Sequence, residues 1–135
     1  MDLGNLGNVC NRIGEHQKAI ECYELALSIF IDLGYKEGEC NILCSLGVVL
    51  DHIGDYQKAL KCHEKSGKLA RDIGNKEGEG FALYNLGMTY QNLTDYQRAI
   101  SYYKQASNFL RPILGGEHPH IEMIKEKIIK AKSLS

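Results

Sequence analysis

Residues 81–106, FALYNLGMTYQNLTDYQRAISYYKQA, place Leu83, the pair Leu86-Gly87, Tyr90, Ala99, Tyr103 and Ala106 at offsets met again upstream. A shift of forty superimposes Leu6-Gly7, Leu46-Gly47 and Leu86-Gly87, then Ala19, Ala59 and Ala99, with Ile13, Ile53 and Leu93 between them. The segment 32–39, DLGYKEGE, returns at 72–79 as DIGNKEGE, a match too long to come from helical periodicity alone. The chain therefore contains three copies of one internal repeat.

Inside each copy apolar residues return every three or four positions, as at Leu43, Leu46, Leu50 and Ile53, which is the period of an amphipathic helix. This first helix is expected to end at Gly14, Gly54 or Thr94, where glycine takes the left-handed cap conformation at little cost. Glu15, Asp55 or Asp95 follows, a carboxylate placed where it favours the next helix start. A second helix runs through Ala19 to Phe30, Ala59 to Ala70 and Ala99 to Leu110, closed in the first two copies by Gly34 and Gly74. The next first helix is expected to begin near Lys36 or Lys76.

Two antiparallel helices on a short turn cross closely only where neither carries a bulky side chain. Gly7, Gly47 and Gly87 supply that space on the first helix and Ala19, Ala59 and Ala99 on the second. Ala26, Ser66 and Ala106 do the same against the following repeat, so these nine residues are read as structural. Past Leu110, Arg111 to Pro119 form a turn-rich connector, and Pro119 suits a first helical turn. The last helix carries Ile121, Ile124, Ile128 and Ala131 on one stripe, with most of its lysines outside it, as a capping helix requires. The boundaries are repeats at about 1–35, 36–75 and 76–111, a connector at 112–118 and a helix at 119–133, in a single all-α domain. Met1 enters the first repeat partway along its first helix, without the Lys-Glu-Gly-Glu lead of the other copies, and a fragment of a longer array is expected.

A formal net charge of -1 gives no long-range field, so neither nucleic acid nor an anionic membrane is favoured as a partner. No apolar run approaches the ~20 residues of a membrane span. The five cysteines are an odd number without disulfide or zinc spacing, which fits reduced thiols in the cytoplasm.

The offsets of residues 81–106, recurring in the other two copies, resemble the tetratricopeptide repeat: a large apolar residue, Leu-Gly three further on, Tyr three after the Gly, then Ala and an aromatic four apart, with Cys10 and Leu50 at the Tyr position of the first two copies. The resemblance covers residues 1 to about 111. The forty-residue period and the Gly-x-Lys-Glu-Gly-Glu turn are most similar to spindle-orientation adaptors that bear G-protein regulatory motifs. Repeats of kinesin light chains and of bacterial signalling proteins are similar in period. The family implies a right-handed superhelix, an α-solenoid of three helix pairs plus the C-terminal helix. Its concave face, built from the first helix of each pair, binds peptide segments of other proteins.

Carried over by repeat position, that face holds Asn5, Asn8 and Arg12 from the first copy, beside Gly4 and Asn11. The second copy contributes Asn41, Ser45 and His52, beside Cys44, Val48 and Asp51, and the third Tyr84, Asn85, Met88 and Asn92, beside Phe81 and Gln91. An amide side chain both donates and accepts, so a ladder of amides serves an extended peptide backbone without demanding one sequence. The second helices instead carry a charged mixture, as at Lys58, Lys61, Glu64, Lys65 and Lys68. Arg12 and His52 are candidates to select an acidic ligand residue, and Tyr84 and Met88 to form an apolar pocket. The adaptors' Asn-Leu-Gly-Asn motif is matched at 5–8, but the third copy has Asn85 with Met88, and the second Ser45 with Val48. Lysines that hold chaperone tails elsewhere in the family are replaced by Gly4, Cys44 and Tyr84, which disfavours that ligand.

Catalysis and cofactors are not expected. Cys40, Cys44 and His52 make a conceivable zinc grouping, but without a Cys-x-x-Cys pair semi-buried thiols are the better reading. His118 and His120 are read as part of a helix start, and Cys62 and His63, adjacent on a helix, point about 100° apart and form no nucleophile–base pair. The expected function is a peptide-binding scaffold. Its rival is self-association through exposed solenoid ends.

Overall fold

The computed structural model describes residues 5, 7, 8 and 14–135, and all the regular structure among them is helical. The helices are α1 (His16–Leu33), α2 (Lys36–His52), α3 (Tyr56–Asp72), α4 (Lys76–Asn92), α5 (Tyr96–Leu114) and α6 (Pro119–Leu134). Each packs on the next, so the layers follow chain order, and α2 also touches α4. Repeats 2 and 3 are the pairs α2–α3 and α4–α5, and α6 takes the place of a further first helix. Asn5, Gly7 and Asn8, ahead of α1, are helical as well.

The turns between helices share one hydrogen-bond pattern. After α2, Gly54 N–H donates to the Asp51 carbonyl and Asp55 N–H to that of Leu50; after α4, Thr94 and Asp95 donate to Gln91 and Tyr90 in the same way. The pattern requires a left-handed residue, with φ of +82° at Gly54 and +59° at Thr94. Thr94 is thus a β-branched residue held where glycine is favoured. Asp55 and Asp95 cap the helices that follow, accepting from the N–H groups of Lys58 and Arg98, and Asn75 caps α4 by accepting from Gly78. Glu15 makes no such cap and pairs with Lys18 instead.

The close crossing of each pair has a specific filler. A Cβ built on Gly87 would lie 2.6 Å from the ring of Tyr103, one on Gly47 2.5 Å from the ring of His63, and one on Gly7 2.6 Å from that of Tyr23. Tyr103 and His63 are fully buried and Tyr23 nearly so. The glycine is therefore a notch, and the ring from the second helix sits in it. Around these rings the buried apolar residues gather in two clusters. One runs from Ala19 through Ile42, Leu46 and Leu50 to Ala59; the other joins Ala99, Tyr103, Ala106 and Leu110 to Ile121 and Ile124.

One expected boundary moves. α5 continues to Leu114, through Pro112, rather than stopping at Leu110. Leu114 packs against the second cluster, and Pro112, which has no N–H to donate, lies near the helix end, where the loss of one intrahelical bond costs least. Arg111 keeps the turn closed by accepting from Gly115 N–H at 2.9 Å. α6 then starts at Pro119, with His118 Nδ1 accepting from His120 N–H.

Gly87→Ala tests the notch. The added methyl meets a ring with no free space to move into, a clash costing about 1–3 kcal/mol that outweighs alanine's better helix propensity of about 1 kcal/mol. Urea unfolding should show a net loss of stability.

Candidate peptide-binding face

The first helices approach one another while the second helices splay. Grooves of about 450 and 390 Å³ open between successive second helices, one walled by Ile20, Leu46, Lys58 and Cys62, the other by Gly67, Lys68, Leu83 and Tyr102. Neither includes a candidate residue. These are seams between repeats on the outer side, and the face carrying the candidates lies opposite.

Asn41, His52 and Asn92 are exposed on that face, and Ser45, Val48, Tyr84, Asn85 and Met88 are half-buried. Asn5 is exposed, whereas Arg12 lies outside the described residues. Two of the amides already have work inside the fold. The Asn8 side-chain oxygen accepts from the Tyr23 hydroxyl, and Asn85 Nδ2 donates to Cys44 Sγ at 3.4 Å, joining α4 to α2. Tyr84 stands against Tyr103, with ring centroids 5.9 Å apart, and its hydroxyl donates to Met123 Sδ at 3.7 Å. Tyr84 and Met88, one turn apart on α4, are therefore partly buried against the second apolar cluster, with Asn92 exposed one turn beyond Met88. His52 ends α2 with its ring 5.6 Å from that of His16, so an imidazole pair stands where repeats 1 and 2 meet.

The conceivable zinc grouping does not assemble. Cys40 Sγ donates to the Ser66 carbonyl at 3.3 Å, while Cys44 takes the Asn85 hydrogen bond, so the two thiols face different helices. Among the described residues no three His, Cys, Asp or Glu side chains are placed to share a metal ion. Burial pushes the Cys44 and Cys62 thiols up from their ordinary 9.0, which keeps them protonated at neutral pH. His118 uses Nδ1 to cap α6, and His120 stacks on His118 and meets Phe81 edge-on.

One group of residues was not anticipated from the sequence. Asp51 turns away from the inner surface: its carboxylate accepts from His63 Nε2 at 3.1 Å and from the single Thr89 hydroxyl proton, Oγ1 lying 2.8 and 2.9 Å from its two oxygens and 3.1 Å from the competing Asn85 carbonyl. The signal lay in the alignment of the copies, where His63 stands in register with Tyr23 and Tyr103, and Thr89 with Val49.

Two family models, both described as tetratricopeptide repeat, match residues 3–72 and 82–108. The chain belongs to the tetratricopeptide-repeat family. Comparison with curated protein sequences gave no match. Among solved structures it is similar to BtubC (BKLC) from P. vanneervenii, with a TM-score of 0.88 at 19% identity over 98% of this chain and 54% of that one. The apo form of RapI gives 0.88 at 15% identity, over 97% and 47% of the two chains. A putative kinesin light chain with nearly identical TPR-like repeats from Podosopora anserina gives 0.84 at 18%, over 98% and 64%. At such identities the likeness is one of fold, an all-helical tetratricopeptide superhelix. The chain spans about half the length of the first two structures. Tetratricopeptide repeats generally mediate protein–protein interaction, and no described helix is long and apolar enough to cross a membrane.

Burial raises the phenols of Tyr84, Tyr102 and Tyr103 above their ordinary value of 10.0, with neighbouring Tyr84 adding to the shift at Tyr103. The unfolded chain therefore ionises these groups first. Their contribution to stability is intact below about pH 10 and is lost as pH rises through the folded values. Alkaline titration by ultraviolet absorbance should show them ionising above pH 10, with unfolding free energy falling over the same range.

Proposed function

We propose that this protein is a cytoplasmic adaptor that binds an extended peptide segment of a partner across the inner face of its first helices. What carries the reading is the mixed character of that face. Asn41, His52 and Asn92 are exposed on the first helices and Val48, Tyr84 and Met88 half-buried, so groups able to pair with a peptide backbone alternate with apolar surface able to meet a ligand side chain. His52, with Arg12, favours an acidic residue in the ligand. The match of residues 5–8 to the motif of the spindle-orientation adaptors supports a signalling role of that kind.

The placement of the amides decides which substitutions report on binding. Asn8 and Asn85 serve the fold, so their removal would confound the result. Asn41, His52 and Asn92 do not carry that burden, and their triple alanine variant should keep full helicity. In capture from cell lysate it should lose specific partners at least about tenfold, the loss of some 1.4 kcal/mol. Lys61→Ala with Lys65→Ala, on the outer side, should lose none. Equal effects from the two sets would remove the inner face as the site.

A second reading, self-association through a solenoid end, is supported by α1. Leu25, Ile29 and Leu33 are 53%, 41% and 72% exposed on one stripe of that helix. Leu25→Lys copies what Lys65 does in the next repeat. If this stripe drives association, the mass measured by sedimentation rises with concentration for the unaltered chain and stays monomeric for the variant.

A further inference from the structure

Two fully buried positions, His63 and Thr89, depart from the repeat pattern, and both meet at the part-buried carboxylate of Asp51. In repeat 3 the ring in the glycine notch is Tyr103, whose hydroxyl donates to Gln91 Oε1 at 2.6 Å. At the same positions repeat 2 has His63 and Asp51, and Asp51 reaches across to Thr89 on α4, where repeat 2 itself has the fully buried Val49. A Tyr with an amide suffices to pin one helix pair, as repeat 3 demonstrates. The added threonine makes a bond between repeats, beside those of Asn85 to Cys44 and of Arg71 to Glu79, and a carboxylate, with two oxygens and no donor, can accept from both sides at once.

The location gives this bond its leverage. The two apolar clusters lie on either side of it, one ending at Ala59 and the other beginning in repeat 3. His63 and Thr89 are fully buried, and His63 Nδ1, against Gly47, has no hydrogen-bond partner among the described residues. Burying such polar groups is costly unless their bonds define a geometry. The hydrophobic driving force is itself non-directional, whereas a hydrogen bond holds its partners to a defined distance and angle.

We propose that Asp51, held by His63, is a latch that sets the angle between repeats 2 and 3 through Thr89. α2 and α4 are the helices it ties. With the latch closed, Val48 and His52 keep a fixed distance from Asn85 and Met88; with it open, the two halves rock about the seam. The consequence for ligands rests on the inner-face reading above, but the latch itself is tested on geometry alone.

The test uses variants that restore the chain's own pattern and so are expected to fold: Thr89→Val, and Thr89→Val with Asp51→Gln and His63→Tyr. Tyr103→Phe is the control, since it removes a buried hydrogen bond within repeat 3. Small-angle X-ray scattering should show a changed distance distribution for both latch variants at unchanged helicity, and none for the control. Native-state hydrogen exchange should accelerate about tenfold or more for α4 amides near Thr89, as loss of a hydrogen bond to a charged group implies, with α1 and α6 unaltered. Scattering curves that overlay the unaltered protein, or exchange that accelerates evenly along the chain, would overturn the latch.

Discussion

Each helix pair depends on a ring seated in a notch. Gly7, Gly47 and Gly87 bring the first helix close enough to the second that Tyr23, His63 or Tyr103 fills the space a side chain would occupy. A ring held this way leaves its polar atom beside the first helix, where a polar side chain meets it: Asp51 for His63 and Gln91 for Tyr103 at the same repeat position, and Asn8 for Tyr23 one turn earlier. Helix crossing, core packing and the fate of these polar residues are therefore one arrangement. The rest of the repeat, its Schellman-type turns and its small residues at Ala19, Ala59 and Ala99, keeps the ring in place.

Much of this was legible in the chain because the constraint is local. A glycine that must meet a ring, an alanine that must meet a helix, and a left-handed residue that must end one each recur at a fixed offset, and Lys36 and Lys76 begin helices where the pattern put them. What escaped the sequence depends on partners that sit elsewhere. Helical spacing placed Asp51 on the inner face, but its direction is decided by Thr89, thirty-eight residues away. Asn85 read as a ligand-binding amide, and its bond to Cys44 comes from a neighbouring repeat. Pro112 read as the end of α5, yet Leu114 has apolar surface to bury beyond it, and a proline in a last turn forgoes little hydrogen bonding.

The electrostatic character of the molecule is divided rather than absent. Most of its lysines lie on α3 and α6, some in short-range pairs such as Lys58 with Asp55 and Lys125 with Glu122. Exposed pairs of this kind add little stability and screen one another. The described inner face carries imidazoles, amides and a thioether instead, and its nearest carboxylate is consumed within the fold. Groups of that kind discriminate by fit at short range and would attract no partner from a distance.

Three copies of one motif invite the view that the repeats are identical tiles, free to be reordered or multiplied. The carboxylate between α2 and α4 says otherwise. It works like the profiled edge of two adjoining boards: the second repeat carries one half of the joint and the third the other, so their order has meaning. A duplicated second repeat would present Val49 to Asp51, a methyl against a buried charge, and pay the desolvation without the bond. Copying repeat 2 alone would therefore break this joint, and repeats 2 and 3 keep it only as a pair.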